Sequence, residues 1–385
     1  MGNVRLLWIE IRDFRNHRDT SVEVPAGLIA VVGPNAQGKT NLLEAMYYLC
    51  ALESPRVHAD LPLVRTGADS AFVRGEVEHG GSRFLIEVEV RGTGQNRIRL
   101  NRSAVRRRRD VRRHAPAVFA GPDDLDVVQG DPSQRRRFMD EAVRSLWPLK
   151  EGEATAYERV LRQRNRLLKD WEGSDSGPGG LSGWDAELIS RGAAVTRLRA
   201  AAMERLVDTA AEGFRRQTGD PMAVSYRPSV TVGTDPPARE AQTEGLFPVA
   251  SPVARDPLEE AFAARLADRR QDELARRTTL VGPHRDDLDL EVQGLAARGF
   301  ASHGETWGAA LSLRLAQAQA VAAEVGEEPL LFLDDPFAGL DPERRRRLGE
   351  LLAPRGPTFM ALPDDAQVPP EAAVWRVKEG AVVPE

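Results

Sequence analysis

The chain has 385 residues, of which 41% are hydrophobic and 29% are charged, so it can bury a sizeable core and is no disordered tail. It contains no run of about 18 uncharged apolar residues, and its single cysteine, Cys50, excludes an intrachain disulfide and a cysteine-based metal cluster. The net charge of −5 argues weakly against a nucleic-acid partner, although the distribution of charge matters more than its sum. We expect a cytoplasmic protein without a membrane partner.

The N-terminal third predicts a mixed α/β fold. Short strands are expected at residues 6–11 and 21–24, and the apolar run at residues 28–32 is typical of a buried strand. A helix should begin at Thr40. Three further strands, separated by glycine turns, are expected to be antiparallel: residues 71–77, 83–90 and 97–100.

The middle of the chain predicts helices. Residues 132–216 are rich in Arg, Glu, Ala and Leu, with a glycine- and serine-rich connection at residues 172–183. The less regular residues 218–257 are expected to hold one strand at residues 222–226. Another helix is predicted over residues 258–277.

Strand patterns return in the last third, at residues 279–281, 288–292 and 329–333. The simplest organisation is therefore an α/β head made of residues 1–120 and 278–385. A largely helical arm, residues 121–277, would split this head.

Residues 33–40 match the Walker A pattern of a phosphate-binding loop. They lie between the predicted strand and the predicted helix, where the loop amides and the helix N-terminus can surround phosphates. Lys39 would reach the β and γ oxygens, and the Thr40 hydroxyl would ligate Mg²⁺. An ordinary glycine–proline turn is the alternative, and the register of strand, loop and helix argues against it. We predict that ATP is bound by Gly33, Pro34, Asn35, Ala36, Gln37, Gly38, Lys39 and Thr40.

Two carboxylates end the apolar run at residues 329–333. A phosphate-binding loop needs a second acidic group for the metal, at the end of a buried strand. Asp334 is expected to hold Mg²⁺ through water, and Asp335 to orient or deprotonate the attacking water. The alternative is that the two aspartates merely cap the end of the strand.

A Ser-x-Gly-Glu tetrapeptide, residues 302–305, precedes a strong helical pattern at residues 306–325 and then the aspartate pair. Taken alone, this tetrapeptide is more often a helix N-cap with a capping box. Asp341 follows at the position of a D-loop. The order of motifs resembles the ABC ATPase fold. The resemblance implies that Ser302 and Gly304 face an ATP bound by a second subunit, so that ATP holds a homodimer together.

Several sequence blocks, in order along the chain, resemble one branch of that class. They are Ile-Arg-Asp-Phe-Arg-Asn at residues 11–16, the Walker A block, Phe-Ala-Gly-Pro-Asp-Asp-Leu with Gly-Asp-Pro-Ser-Gln-Arg-Arg-Arg over residues 119–137, Gly-Pro-His-Arg-Asp-Asp-Leu at residues 282–288, and the segment ending at Asp341. Together they are similar to the RecF family of bacterial recombination-mediator ATPases.

The resemblance implies a function that composition does not. It implies an ATP-dependent homodimer that binds duplex DNA and single-strand to double-strand junctions at gaps. It further implies slow, DNA-stimulated hydrolysis of ATP and help in loading RecA together with RecR and RecO. It also places Arg12 and Asn16 beside the nucleotide.

Some positions depart from the ABC pattern. Ala301, His303 and Glu305 replace the usual residues around the signature serine and glycine, and Asp335 stands where a glutamate is usual. No histidine follows His303, so the switch histidine expected after the strand at residues 357–362 is absent. We therefore predict a slow ATPase used as a timer, with a turnover below about 10 per second, the median for enzymes.

Arginine clusters are the candidates for DNA contact. The first could grip duplex phosphates or form a solvated turn, and no interleaved aromatic residues point to single-strand stacking. Residues 135–137 could instead fix the arm to the head through salt bridges, and residues 344–347 are expected on the surface. The predicted DNA contacts are Arg106, Arg107, Arg108, Arg109, Arg112 and Arg113.

Two further residues leave alternatives open. His284 could mark a metal or acid–base site or have a structural role in its turn near the nucleotide, and no second histidine or cysteine lies at ligand spacing. Gln129 is a possible Q-loop residue. Two other functions compete with DNA repair: the ATP-binding subunit of a transporter, and a scaffold that binds ATP only to dimerise.

Overall fold

The fold described here is that of a computed structural model, which describes residues 2–173, 177–233, 256–352 and 356–385. Its central sheet has six strands in the order β17-β16-β4-β15-β14-β9, all parallel except β17. These strands are β4 (Leu28–Val32), β9 (Ala117–Ala120), β14 (Leu330–Asp334), β15 (Thr358–Leu362), β16 (Ala373–Lys378) and β17 (Ala381–Pro384).

A second, antiparallel sheet comes from the N-terminal third, in the order β3-β2-β5-β6-β7-β8. Its strands are β2 (Arg5–Phe14), β3 (His17–Glu23), β5 (Ser70–His79), β6 (Ser82–Arg91), β7 (Arg97–Leu100) and β8 (Ser103–Val105). Helix α1 (Lys39–Ala51) shares one hydrophobic core with both sheets. A short parallel pair joins β1 (Gly2–Asn3) to β13 (Glu327–Glu328). The mixed α/β fold predicted for this third is confirmed.

Helices dominate the middle of the chain, as predicted. The long helices are α4 (Pro132–Leu146), α5 (Gly152–Asp170) and α6 (Leu181–Thr218) in the middle and α10 (His303–Val325) in the last third. The shorter ones are α2 (Arg109–Arg112), α3 (Leu125–Gln129), α7 (Pro257–Asp268), α8 (Arg270–Arg276), α9 (Ala297–Phe300) and α11 (Pro342–Leu352). Helices α4, α6 and α10 share a second hydrophobic core with the other face of the central sheet. None of the helices in the described ranges is long and apolar enough to cross a bilayer.

Two local predictions are wrong. The helix expected over residues 258–277 is two helices, α7 and α8, that meet at Arg269. Residues 279–281 form no strand, because side chains of the arm take their backbone donors. The Thr279 N–H donates to Asn165 Oδ1 and the Leu280 N–H donates to Glu273 Oε1, both at 2.8 Å.

A three-stranded sheet crosses the predicted boundary between arm and head. In it, β10 (Met222–Arg227) pairs antiparallel with β11 (Asp287–Val292), which pairs in turn with β12 (Leu295–Ala296). The division at residue 277 stays a prediction, and the two parts share both this sheet and a core. Residues 174–176 of the predicted connection and residues 234–255 of the irregular segment lie outside the described ranges.

Candidate nucleotide site

The loop over residues 33–40 joins β4 to α1, and its backbone needs small residues at two points. Gly38 has φ +115°, and a Cβ there would lie 2.6 Å from Asn16 Nδ2. A Cβ at Gly33 would lie 2.4 Å from the backbone oxygen of Val377. Ala36 also has a positive φ, of 64°. Such a conformation turns successive backbone amides toward one side, as a phosphate cradle requires.

Lys39 and Thr40 begin α1, and their side chains have different partners. Lys39 Nζ is buried and donates to the carbonyl oxygens of Gly33, at 2.6 Å, and Pro34, at 3.0 Å. Burial lowers the pKa of Lys39, although Asp334 and Asp335 oppose the shift. The ammonium group is thus held among oxygens.

The hydroxyl Oγ1 of Thr40 donates to Asp334 Oδ1 at 2.8 Å, across 294 residues of sequence. Because β4 and β14 run parallel in one sheet, their carboxyl ends lie at the same edge. The two predicted metal ligands, Thr40 and Asp334, are therefore brought together.

The aspartate pair ends β14. Asp334 is buried, and burial raises its pKa, although the hydrogen bond from Thr40 acts in the opposite direction. Asp335 has the left-handed φ of 50°, which is costly for a residue with a Cβ and is held here by its N–H donating to Ala361 O at 3.1 Å. Burial also raises the pKa of Asp335, against the effect of Lys39. A carboxylate with a raised pKa is a stronger base.

Asn16 lies beside the loop as expected, and Arg12 does not. Asn16 Nδ2 donates to Gln37 O at 2.9 Å, and its Oδ1 accepts from Asn41 Nδ2 at 2.8 Å. Arg12 is exposed on β2, in a groove that it shares with Glu10. The structure therefore brings Asn16, and not Arg12, to the phosphate-binding loop.

Three residues near the loop were missed by sequence reasoning. The ring nitrogens of His17 face Gly38 O at 3.0 Å and Gly380 O at 2.8 Å, and burial lowers the pKa of His17. Arg56 and Asp123 line a cavity of about 140 Å³ that Thr40 and Asp334 also line. For His17 the signal was its place directly after the block at residues 11–16, and for Asp123 it was its place within the block at residues 119–137, whereas Arg56 carried none.

The predicted signature residues lie at the N-terminus of α10. Ser302 caps the helix, accepting the Glu305 N–H at 3.3 Å, while Glu305 Oε2 accepts the Ser302 N–H at 2.8 Å. The capping box considered as the alternative is thus present, and Ser302 is exposed. Asp341 accepts the Arg344 N–H at 2.9 Å, and a Cβ at Gly304 would lie 3.0 Å from Arg344 Nη1. The signature and the D-loop are therefore neighbours.

Gln129 and His284 have partners of their own. Gln129 Nε2 donates to Thr306 Oγ1 at 2.7 Å, so it contacts the first turn of α10. His284 Nδ1 lies 2.6 Å from Tyr157 Oη, and its Nε2 lies 3.1 Å from Thr279 O. No group of three or more metal-ligating side chains occurs in the described part of the chain. These contacts favour the structural role for His284, with Tyr157 on the arm and Thr279 just beyond it as partners.

The arginine clusters separate into different environments. Arg112 is buried and pairs with Glu53 and Glu151, both at 2.9 Å. Arg135 pairs with Asp287 at 2.5 Å, which joins α4 to β11 as one of the sequence alternatives proposed. Residues 344–347 lie near the start of α11, as expected for a surface: Arg344, Arg346 and Arg347 form ion pairs with acidic residues of the same segment, and Arg345 donates to Leu340 O at 2.9 Å. The remaining predicted DNA contacts, Arg106, Arg107, Arg108, Arg109 and Arg113, are exposed or half-buried.

Comparisons with known proteins agree with this geometry. The model of the RecF/RecN/SMC N-terminal domain family matches residues 5–359. A DNA replication and repair protein RecF of Streptomyces avermitilis is 42% identical over 97% of this chain and 98% of its own length. One of Frankia alni is 41% identical over 96% of both chains.

Solved structures agree as well. A recombination mediator protein RecF with ATP, described as part of the RecFOR pathway, is 26% identical, covers 100% of this chain and 98% of its own, and has a TM-score of 0.84. An Smc head domain from Pyrococcus furiosus, 14% identical over 99% of this chain and 96% of its own, has a TM-score of 0.54 and shares the fold. The fold is thus the ABC-type ATPase head that the motif order predicted. The chain belongs to the RecF family of DNA replication and repair proteins.

Proposed function

We propose that this chain is a slow ATPase of recombinational DNA repair that binds ATP and Mg²⁺ through residues 33–40 and Asp334. The observation that carries the proposal is the 2.8 Å hydrogen bond between Thr40 and Asp334, since it joins the two halves of a nucleotide site. The relatives named RecF and the solved RecF with ATP support the nucleotide and the repair role.

The donor set fits magnesium. The Thr40 hydroxyl and the Asp334 carboxylate are the hard oxygen ligands that Mg²⁺ prefers, and the bound ion would neutralise charge on the phosphates. Lys39 would position the β and γ oxygens. Asp335, with its raised pKa, would accept a proton from the attacking water. Its short side chain and the missing switch histidine support slow turnover.

Replacing Lys39 tests the site. Lys39→Met should lower phosphate release on the order of 100-fold, the effect of deleting one group that stabilises transition-state charge. Lys150→Met, which changes an exposed lysine on another element, is the matched control and should hydrolyse ATP like the wild type. Hydrolysis that survives the loss of Lys39 would refute the assignment of the site.

The exposed N-terminus of α10 supports an ATP-dependent homodimer. The Ser302 hydroxyl accepts the Glu305 N–H within its capping box and also bonds to the Glu305 carboxylate, so it would turn its hydrogen from that carboxylate to a phosphate of the second copy. The helix N-terminus would add its positive end to the γ-phosphate held by a second copy. Gly304 and Asp341 both lie beside Arg344, near the N-terminus of α10.

The dimer can be tested by light scattering. Ser302→Arg should leave ATP binding to the monomer nearly intact and abolish ATP-induced association. Ser82→Arg, at an exposed serine that begins β6, should associate like the wild type. Equal association in both variants would remove the signature role.

The DNA partners follow from the family. We propose that the ATP-bound dimer binds duplex DNA and gap junctions, with hydrolysis stimulated by DNA, and that it works with RecR and RecO to load RecA. Anisotropy of a labelled duplex, titrated in ATP, in ADP and without nucleotide at one stated salt concentration, tests this. Tight binding only in ATP is expected. Absence of binding in all three states would overturn the DNA role.

A further inference from the structure

A large cleft lies apart from the nucleotide loop, and none of the loop residues lines it. It has a volume of about 1200 Å³ and opens between the Arg106–Arg109 segment and the helices α4 and α5. Glu53, Ser54, Pro55, Val57 and His58, which follow α1, line it as well. The cleft thus lies between the segment that follows the antiparallel sheet and the helices of the arm.

Every acidic side chain that lines this cleft already has an arginine partner. Two of them, Glu53 and Glu151, share Arg112, and the other three pair with arginines on α5, α6 and α10. The pairs are Glu53 with Arg112 and Arg144, Glu151 with Arg112, Asp140 with Arg199, Glu141 with Arg314, and Glu158 with Arg162. The carboxylates therefore do not neutralise the rest of the wall.

Seven other arginines line the same cleft and have no ion-pair partner in the described part of the chain. They come from three elements, so the positive charge surrounds the cleft from several sides. They are Arg106, Arg107, Arg108, Arg109, Arg136, Arg137 and Arg159. Guanidinium groups at close range repel one another, and an anion between them removes that cost.

Two of the seven arginines, Arg109 and Arg136, show the effect of the missing counter-charge. Arg109 Nε is buried without an acceptor among the described residues, while Nη1 of the same side chain donates to Leu149 O at 3.4 Å. Burial, and after it the neighbouring Arg199, lowers the pKa of Arg136, although Asp287 and Asp286 oppose the shift and Arg136 Nη1 donates to Asp286 O at 3.0 Å. Both guanidinium groups would gain from a negatively charged partner in the cleft.

We propose, resting on the DNA binding proposed above, that this cleft binds the sugar–phosphate backbone of duplex DNA. Seven charges spread over three elements suit a row of phosphates better than one small anion. Of the rings that line the cleft, Tyr47 and Tyr157 are buried and His284 is half-buried, so only the small ring of His58 is exposed, which is too little for a row of stacked bases. Backbone contact with a duplex therefore fits better than binding of a single strand.

The cleft arginines differ from the arginine cluster that the sequence predicts as DNA contacts. Arg112 is excluded, since it is ion-paired, and Arg113 is excluded, since it does not line the cleft and donates to His114 Nε2 at 2.9 Å. Arg136, Arg137 and Arg159 join from the facing helices α4 and α5.

The test removes one arginine from each wall, in the triple variant Arg107→Ala, Arg137→Ala, Arg159→Ala. The matched control removes three exposed arginines outside the cleft, Arg83→Ala, Arg216→Ala and Arg276→Ala, and so loses the same charge. Duplex affinity in ATP is measured by anisotropy over a series of salt concentrations. At about 0.9 per phosphate contact, the slope of log affinity against log salt should become shallower by about 2.7 in the cleft variant and stay near the wild type in the control. Thermal unfolding of both variants checks that they are folded.

The outcomes separate this inference from the proposed function. Wild-type binding with equal slopes in the two triple variants would overturn the cleft and leave DNA binding in place. A cleft variant that loses binding to a single strand but keeps binding to the duplex would overturn the choice of duplex. A wild type that binds no duplex in any nucleotide state would overturn the proposed DNA function and this inference with it.

Discussion

The arginines of the interior and those of the cleft differ in what faces them. Arg164 is fully buried between Asp185, at 2.8 Å, and Glu273, at 2.6 Å. Arg314 on α10 lies between Asp124 and Glu141 in the same manner, at 2.6 and 2.7 Å. The seven cleft arginines have no carboxylate partner among the described residues, and most of them are exposed.

The difference shows what each set can do. A guanidinium that leaves water must be paired, so the interior arginines join elements that are far apart in sequence. Arg314 links α10 to the turn after β9 and to α4. The cleft arginines have no ion-pair partner among the described residues, although Arg109, Arg136 and Arg137 donate to backbone oxygens, so their charge is available to a binding partner. The fold thus depends on the first set, and binding would depend on the second.

Removing an interior arginine should have the largest effect. Arg314→Ala leaves Asp124 and Glu141 in the interior without their counter-charge, and the loss of one partner of such a pair costs about 3–5 kcal/mol. Urea unfolding at pH 7 measures it. Arg215→Ala, which breaks an exposed pair with Glu212 on α6, should change stability by less than about 0.5 kcal/mol. Equal costs in both variants would erase the distinction between the sets.

His284 is close to Arg136 of the cleft set and Arg164 of the interior set. Its lowered pKa predicts that stability depends on pH. Burial, with the positive Arg136 and Arg164 acting in the same direction, lowers its pKa from 6.5 to about 4. Between these values the unfolded chain binds the extra proton and the folded chain does not. Stability should therefore fall as the pH drops from about 6.5 to about 4, by an order of 3 kcal/mol for this residue.

Unfolding at pH 7 and pH 4 isolates that contribution. His284→Gln should lose less stability over the interval than the wild type, while the buried His17 contributes in the same direction in both proteins. His58→Gln changes an exposed histidine at the cleft and should follow the wild type. Parallel losses in the wild type and His284→Gln would show that His284 is not neutral in the folded protein.

Arg135 lies between the two sets, since it is buried but its partner Asp287 is half-buried. It donates to both carboxylate oxygens, at 2.5 and 3.1 Å, and a lysine cannot reproduce this fork. Arg135→Lys should lower stability by about 1–2 kcal/mol at pH 7, near the net value of a charged hydrogen bond.

The pH dependence of this variant supplies its check. Partial burial raises the pKa of Asp287, but the hydrogen bonds from Arg135 and the Leu288 N–H, together with the charges of Arg135 and Arg136, hold the pKa below its ordinary value. Stability from a carboxylate with a lowered pKa is present above about pH 4 and is lost as the pH falls through the lowered value. The difference between Arg135→Lys and the wild type should shrink at low pH. A constant difference would assign the loss to packing.

The sequence predicted what depends on neighbours along the chain. The strands at residues 28–32 and 97–100 have their predicted bounds, because apolar runs and glycine turns are local signals. Residues that meet only on folding escaped prediction. Arg56 and Asp123 reach the nucleotide site from separate elements, and Asn165 takes a donor of the strand expected at residues 279–281.

Arginine patterning misled in a related way. A run of arginines marked the cluster at residues 106–113, yet Arg112 within it is buried and paired. Spacing along a sequence shows that charges are dense, and only the fold shows which of them lack a counter-charge.

The smallest effect is expected when cleft arginines are replaced in the absence of DNA. Arg159→Ala removes an exposed side chain of α5 that has no ion pair among the described residues, so stability should change by less than about 0.5 kcal/mol at moderate salt. The direction of the stability change at low salt shows whether Arg159 is repelled by its neighbours. At low salt, where repulsion between guanidinium groups is screened least, the variant should be slightly more stable than the wild type, and added salt should remove the gain. Urea unfolding at two ionic strengths measures this, with Arg276→Ala as control. If the variant is less stable than the wild type at low salt, the charge of Arg159 is already compensated by acidic groups of the chain. Arg159 would then belong with the interior arginines.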